Sequence, residues 1–251
     1  MRLTRAAASL VSIVLFAAPA LADVTMKMTM ATAGGPASVE TVSVTFIKGM
    51  KMRSDVKVAG QDMSVFVDVA AKQQLMVNNA TKEVTDFGAM MANLPMTVGD
   101  VTVSVTPNGQ KRNVLGRACE GYTVTYSMPM TMAGETLTIG SSGVVWIAKD
   151  APGAAEYLAF SRAAAAAGLT TGMFSQGPQA KAIAQVQAAM TEKGIPLEQE
   201  MQITITGTGQ MAEMMSRSGA GNMKMTMKVT EISLDPIPAE TFVIPGAAPK
   251  K

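Results

Sequence analysis

The chain has 251 residues, 48% of them hydrophobic and only 4% aromatic, with 21 Lys and Arg against 19 Asp and Glu and no histidine. The missing histidine excludes Ser-His-Asp and Cys-His catalysis, imidazole metal ligation and the commonest general base. Arg2 and Arg5 are the only charges before Asp23, so the chain from Asp23 onward is electrically balanced, and without a basic block it lacks the phosphate-neutralising surface that nucleic acid requires.

Residues 1–22 read as a secretory signal peptide. Arg2 and Arg5 form a positive start, Ala6 to Ala18 an apolar run, and Ala20-Leu21-Ala22 a small-x-small site before Asp23. The run is shorter than the roughly 20 residues a membrane helix needs, no later segment is long enough either, and no cysteine stands at the cleavage site. Cleavage after Ala22 and release into the periplasm are expected, with no membrane span in the mature chain. Residues 23–245 are expected to form a single β domain and residues 246–251 a flexible tail. Cys119 is the only cysteine, so no intramolecular disulfide is available and stability must come from burial.

Along the mature chain the dominant signal is period-two alternation, which places apolar side chains on one face of a strand. Val24-Met26-Met28-Met30 alternate with Thr25-Lys27-Thr29, and Val42-Val44-Phe46 with Thr41-Ser43-Thr45. Strands are expected next over about 51–58, 62–69, 72–78 and 82–87, and a helical turn over Gly88–Pro95. Val101-Val103-Val105 follows, then 111–117 and the long row Tyr122-Val124-Tyr126-Met128-Met130-Met132. Strands over 135–140 and 143–149 are separated by Ser141-Ser142-Gly143, a turn signal like Pro107-Asn108-Gly109 earlier. Residues 152–167 and 178–193 break the pattern. Each has proline near its start and glycine past its end, the asymmetry of a helix. Met201-Ile203-Ile205 and Met223-Met225-Met227-Val229 close the series as strands.

A dozen short strands with one dry face must bury that face. The expected fold is therefore mainly β (α+β): a curved antiparallel sheet or half-barrel with an inserted helical pair over its concave face. Two alanine-rich helices cover only part of such a sheet, so the remainder curls on itself or holds something else.

Several short pieces carry a resemblance: Gly49-Met50-Lys51-Met52-Arg53, Gly116 to Tyr122, Val145-Trp146-Ile147, Gly194-Ile195-Pro196 and the closing Ile237 to Pro245. Together they resemble an exported bacterial domain-of-unknown-function family related to the lipoprotein carrier and localisation factors of the LolA/LolB type. The resemblance implies a half-barrel with helices over its concave side, a shape that in the carrier proteins shelters acyl chains. No active residues come with it, and the methionine content departs from it.

Gly207-Thr208-Gly209 is an isolated turn-like piece rather than a phosphate loop, and the acidic residues are scattered. Catalysis is therefore not expected, and neither is a cofactor. Cys119, between Ala118 and Glu120 in an apolar-patterned strand, reads as a small buried hydrophobe rather than a nucleophile. Trp146 reads as core, and Lys27, Lys224 and Lys228 as a solvated face. The outlier is methionine, 23 in the chain and grouped at 26/28/30, 128/130/132, 211/214/215 and 223/225/227. Met fills irregular core gaps, lines adaptable apolar sites and supplies soft thioethers to copper(I). The expected function is a periplasmic, non-enzymatic protein that binds a lipid, lipoprotein or other hydrophobic ligand through Met26, Met28, Met128, Met130, Met225 and Met227. The alternatives are a Met-rich copper(I)-binding envelope protein and a structural or assembly protein of the envelope. No tight metal site is expected, because one-faced Met rows are explained by burial.

Overall fold

The computed structural model describes residues 22–34, 38–58, 60–86, 89, 96–132, 134–169, 188–190, 192–217, 219 and 221–245. In them the alternating rows become twelve strands: β1 (Val24–Ala33), β2 (Val39–Lys48), β3 (Lys51–Val58), β4 (Gln61–Asp68), β5 (Gln73–Asn78), β6 (Val84–Asp86), β7 (Met96–Val98), β8 (Thr102–Val114), β9 (Arg117–Met132), β10 (Glu135–Ala148), β11 (Ile195–Gly207) and β12 (Asn222–Ser233). They form one curved antiparallel sheet, ordered β6-β5-β4-β3-β2-β1-β12-β11-β10-β9-β7, and β8 lies beside β9 on the edge that β7 also occupies. The sheet is open and does not close into a barrel.

Helix α1 (Ala154–Ala166) covers one end of one face, here the inner face. Its inward positions Ala154, Tyr157, Phe160 and Ala164 recur at helical spacing, and all pack into the main core cluster. The helix stops where the sequence places Gly168. That residue has φ 73°, Leu169 N–H donates to Ala164 O at 2.8 Å and Gly168 N–H to Ala165 O at 3.0 Å. This is a Schellman cap, with its apolar contact supplied by buried Leu169 and Ala164. The second expected helix, 178–193, lies outside the described residues except for helical 188–190 and a turn at 192–193; Met190 packs on the inner face against the cluster of Tyr122, Val124, Val145, Ile147 and Met201. The turn expected over Gly88–Pro95 also lies outside them, apart from Ala89.

The row of inner-face residues nearest α1 runs Val24–Ile47–Met52–Val67–Gln74 across five strands, and its members are 0 to 3% exposed. Full burial of each apolar side chain there stabilises the fold by about 1.5–3 kcal/mol. This row corrects the reading of β2. Because Val24 pairs with Ile47 and Met26 with Thr45, it is Ser43, Thr45 and Ile47 that face inward and are buried, while Val42 is 50% exposed. Residues directly opposite in an antiparallel pair share a face, so the neighbours fix the face that β2 presents. The buried Thr45 hydroxyl meets Ser54 Oγ at 3.0 Å, which removes the cost of an unpaired polar group.

Two turn signals also prove to be internal. Pro107-Asn108-Gly109 lies within β8, where the register against β9 shifts between Pro107 and Lys111 and Gly109 takes φ 75°. The separate strand expected over 111–117 is thus the end of β8 and the start of β9. Ser141-Ser142-Gly143 lies within β10, opposite Ile203, Gln202 and Met201 of β11. A Cβ at Gly143 would stand 2.0 Å from the Glu200 carbonyl oxygen and 2.8 Å from Met201 Sδ. Glycine is there for close strand approach, not for a turn. A helix also forms where the sequence signals none. Helix α2 (Gln210–Arg217) joins β11 to β12, with Gln210 N–H donating to Glu135 Oε1 at 3.0 Å and an Arg217–Glu213 ion pair.

The closing segment crosses back over the start of the sheet. Asp23 carboxylate accepts from Lys48 Nζ at 2.8 Å and from Ile237 N–H at 2.6 Å, Lys48 also donates to Ile237 O, and Arg53 donates to Thr241 O at 3.0 Å. Burial pushes the Asp23 carboxyl up, but the hydrogen bonds from Lys48 and Ile237 and the Lys48 charge together outweigh it and hold it below its ordinary value of 3.8. A carboxyl depressed in the folded state contributes stability above its unfolded pKa, and that stability is lost as pH falls through the folded value. Asp23→Asn is therefore expected to lower the thermal midpoint at pH 7, with the deficit against wild type closing below roughly pH 4. Thermal unfolding of both proteins from pH 7 downward checks this, and a deficit that is constant with pH would contradict it.

Candidate ligand-binding face

All six methionines expected to line a site stand on the inner face, as their pairings require. Met26 and Met227 belong to the cluster beneath α1, and Met28 packs against it. Met225 pairs with Met201 and packs against Tyr122, Val124, Val145 and Ile147. Met128 lies opposite Ile139, and Met130 opposite Leu137 on one side and Val98 on the other. The six are thus spread over β1, β9 and β12 on one continuous surface rather than gathered at one point. Lys27, Lys224 and Lys228 are exposed on the opposite face, where Lys27 pairs with Glu231 and Lys224 with Glu200.

Burial is graded along this surface. Near α1, Leu197 and Val229 are closed off completely, Met26 is 3% exposed and Met227 9%. Farther along the same strands, Met30, Met223, Met225, Ile203, Ile205, Ile139 and Met130 are each only partly buried, with Met128 and Leu137 buried among them. Among them lie Tyr126 and Ser141, paired across β9 and β10 and joined by a side-chain hydrogen bond. Burial raises the Tyr126 phenol, which stays protonated at neutral pH. An apolar wall with one or two placed polar groups is the usual make-up of a small-molecule site.

Another cavity among the described residues lies elsewhere. It measures about 540 Å³ and is lined by Lys111, Arg112, Asn113, Ala118, Cys119, Glu120, Ile147, Lys149 and Asp150. Its cations are largely engaged: Lys149 pairs with Glu120 at 2.9 Å, and Arg112 pairs with Glu198 at 2.9 Å while lying 4.5 Å over the Trp146 ring. The Lys149 and Tyr122 hydrogen bonds hold Glu120 below its ordinary value. Cys119 is 1% exposed, its thiol is pushed up by burial, and its Sγ leans on Arg117 O at 3.7 Å. A buried protonated thiol is a poor nucleophile, so Cys119 packs as the sequence implied. Sequence reasoning missed this cavity; the adjacent Lys111-Arg112 at the end of a strand was the available signal. It also missed a smaller one of about 280 Å³, where Phe242 and Ile244 of the closing segment meet Met52, Phe66 and Leu75.

No family model and no curated protein matches the chain. Among solved structures it is similar to an outer membrane lipoprotein-sorting protein domain from Vibrio parahaemolyticus, at 8% identity and TM-score 0.33 over 89% of this chain and 90% of that one. It is similar in the same degree to a DUF1329 family protein from Desulfovibrio piger, at 10% identity and TM-score 0.33 over 90% and 91%. A third, PNGF-II, aligns at 7% identity and TM-score 0.28 over 90% of this chain but 30% of its own length. The first two are of the kind that the sequence resemblance names. At such scores no residue role passes from them to this chain. No described helix is long and apolar enough to cross a membrane.

Proposed function

We propose that this is an exported, non-enzymatic carrier-type protein that holds an apolar, acyl-bearing ligand against the partly covered part of its inner face. The observation that supports the reading is the burial gradient: one apolar surface, closed completely under α1 and left half-buried along Met30, Met130, Met223 and Met225. Apolar surface left in water costs about 25 cal/mol per Å², and a ligand's hydrocarbon offsets that cost. Methionine suits such a wall because its unbranched thioether re-packs around different shapes. In this reading Met28, Met130 and Met225 touch the ligand, and the buried Met26, Met128 and Met227 form the floor beneath. Residues 1–22 direct the chain to the periplasm and are removed after Ala22.

Native mass spectrometry of the protein purified from its own envelope without detergent tests the ligand directly. A lipid-sized mass increment is expected, and a copper increment would favour the thioether-metal alternative. Met130→Asp is expected to abolish the retained mass with only moderate loss of thermal stability, because water reaches that position. If the variant kept both its bound material and its melting temperature, the ligand would not lie on this face.

A further inference from the structure

The edges of the sheet differ in how they are protected. β6 and β7 have three residues each, too short to template another strand. β8 has thirteen, and among the described residues its second edge pairs with no strand. The later half of β8 is guarded. Pro107 has no N–H to offer, the register is broken between Pro107 and Lys111, and Lys111 and Arg112 add charge. These are the devices that natural sheets use against edge pairing. Thr102–Thr106 has none of them. It reads Thr-Val-Ser-Val-Thr, the same in both directions. Val103 pairs with Tyr126 and Val105 with Val124, so both valines lie on the inner face, half-buried at its rim, while Thr102, Ser104 and Thr106 are exposed on the outer face.

We propose that Thr102–Thr106 is a strand-addition site for a second copy of this chain, paired antiparallel about a two-fold axis through Ser104. In that register Ser104 stands opposite its own counterpart, Val103 opposite Val105 of the other copy, and Thr102 opposite Thr106. Opposed residues share a face, so the valines of the two copies cover one another and the two inner faces join into one apolar surface. The palindrome satisfies the requirement of a two-fold contact, that the same patch serve both partners. The balanced charge of the chain after Asp23 adds little repulsion. A five-residue strand pair buries less than the roughly 1,200 Å² of a stable standard interface, so the dimer is concentration-dependent and dissociates on dilution.

Sedimentation equilibrium of the purified exported protein, up to about the 100 μM range where contacts of this size associate, reads the association constant. Because Ser104 meets itself, Ser104→Lys and Ser104→Glu each place like charges face to face, and each is expected to weaken association about fivefold or more. An equimolar mixture of the two variants pairs opposite charges and is expected to recover the association. Ser104 is exposed, so both variants should melt with the wild type, which separates lost pairing from lost folding. A wild-type protein that stays monomeric throughout overturns the proposal. So do variants that dimerise like wild type, and so does a mixture that fails to recover.

Discussion

Phe160→Ala is expected to cost about 3–5 kcal/mol of unfolding free energy, the range for removing a fully buried aromatic ring. Phe160 is 0% exposed and is the largest fully buried side chain described. Helix α1 has the sequence AAEYLAFSRAAAA, so its alanines offer little area with which to hold the sheet. Its adhesion rests on Phe160, with Tyr157 and the Leu169 cap contact beside it. Removing the ring leaves a cavity in the core cluster beneath α1 that the helix's alanines cannot fill. For a domain with a typical 5–15 kcal/mol of stability, this is about a fifth of the total or more. Phe160→Leu, which keeps most of the volume, is expected to lose about 1.5 kcal/mol or less. Chemical denaturation measures both variants. A loss below about 1 kcal/mol for the alanine variant would mean that α1 does not seal the core.

The alternation of apolar and polar residues made the β class legible, because a period of two has one structural meaning when it recurs in row after row. It did not make every face legible. In β2 both alternating sets consist of residues that strands accept, Val-Val-Phe against Thr-Ser-Thr, and the next residue, Ile47, belongs to the set of Ser43 and Thr45. Which set turns inward is decided by pairing with Val24 and Met26 on β1, and that information is not local to β2. The turn signals failed for a similar reason. Glycine marks any place where a side chain cannot be accommodated, and at Gly143 the obstacle is the neighbouring strand rather than a reversal of the chain.

The helices divide along the same line. Residues 152–167 carry their own stop signal, since Gly168 can take the left-handed conformation that ends α1. Helix α2 carries less. It has eight residues, its start is tied by the distant Glu135, and its methionines read from sequence as one more group. The candidate site was legible only as a surface. Spacing placed the six methionines on one face, but it could not say which of them α1 would cover, because that depends on where α1 lies along the strands. Cavities bounded by residues distant in sequence, such as the one where Phe242 and Ile244 meet Phe66 and Leu75, have no local signature.

Met227→Asp should be severely destabilising and should reveal its cause through pH. Met227 is 9% exposed, within the cluster that includes Met26, Leu197 and Val229. A carboxylate in such surroundings is driven to its neutral form, since an unpaired charge in an apolar core costs more than a proton does. Holding an Asp neutral at pH 7, against an unfolded pKa of about 3.9, costs about 4 kcal/mol, and the lost burial of the Met side chain adds about 2 kcal/mol. Here the folded pKa is raised, so the first of these costs grows with pH above the unfolded value and vanishes as pH falls toward it. The stability deficit against wild type is therefore expected to shrink by most of those 4 kcal/mol between pH 7 and about pH 4, although both proteins lose the Asp23 contribution over the same interval. Met130→Asp is the matched control on the same face. Its position is reached by water, so the carboxylate stays ionised and the deficit is smaller and nearly flat with pH. Denaturant titrations of the two variants at pH 4 and pH 7 make the comparison. Equal deficits with equal pH dependence would mean that the inner face is one uniform core, with no closed floor under an open wall and no room for a ligand against it.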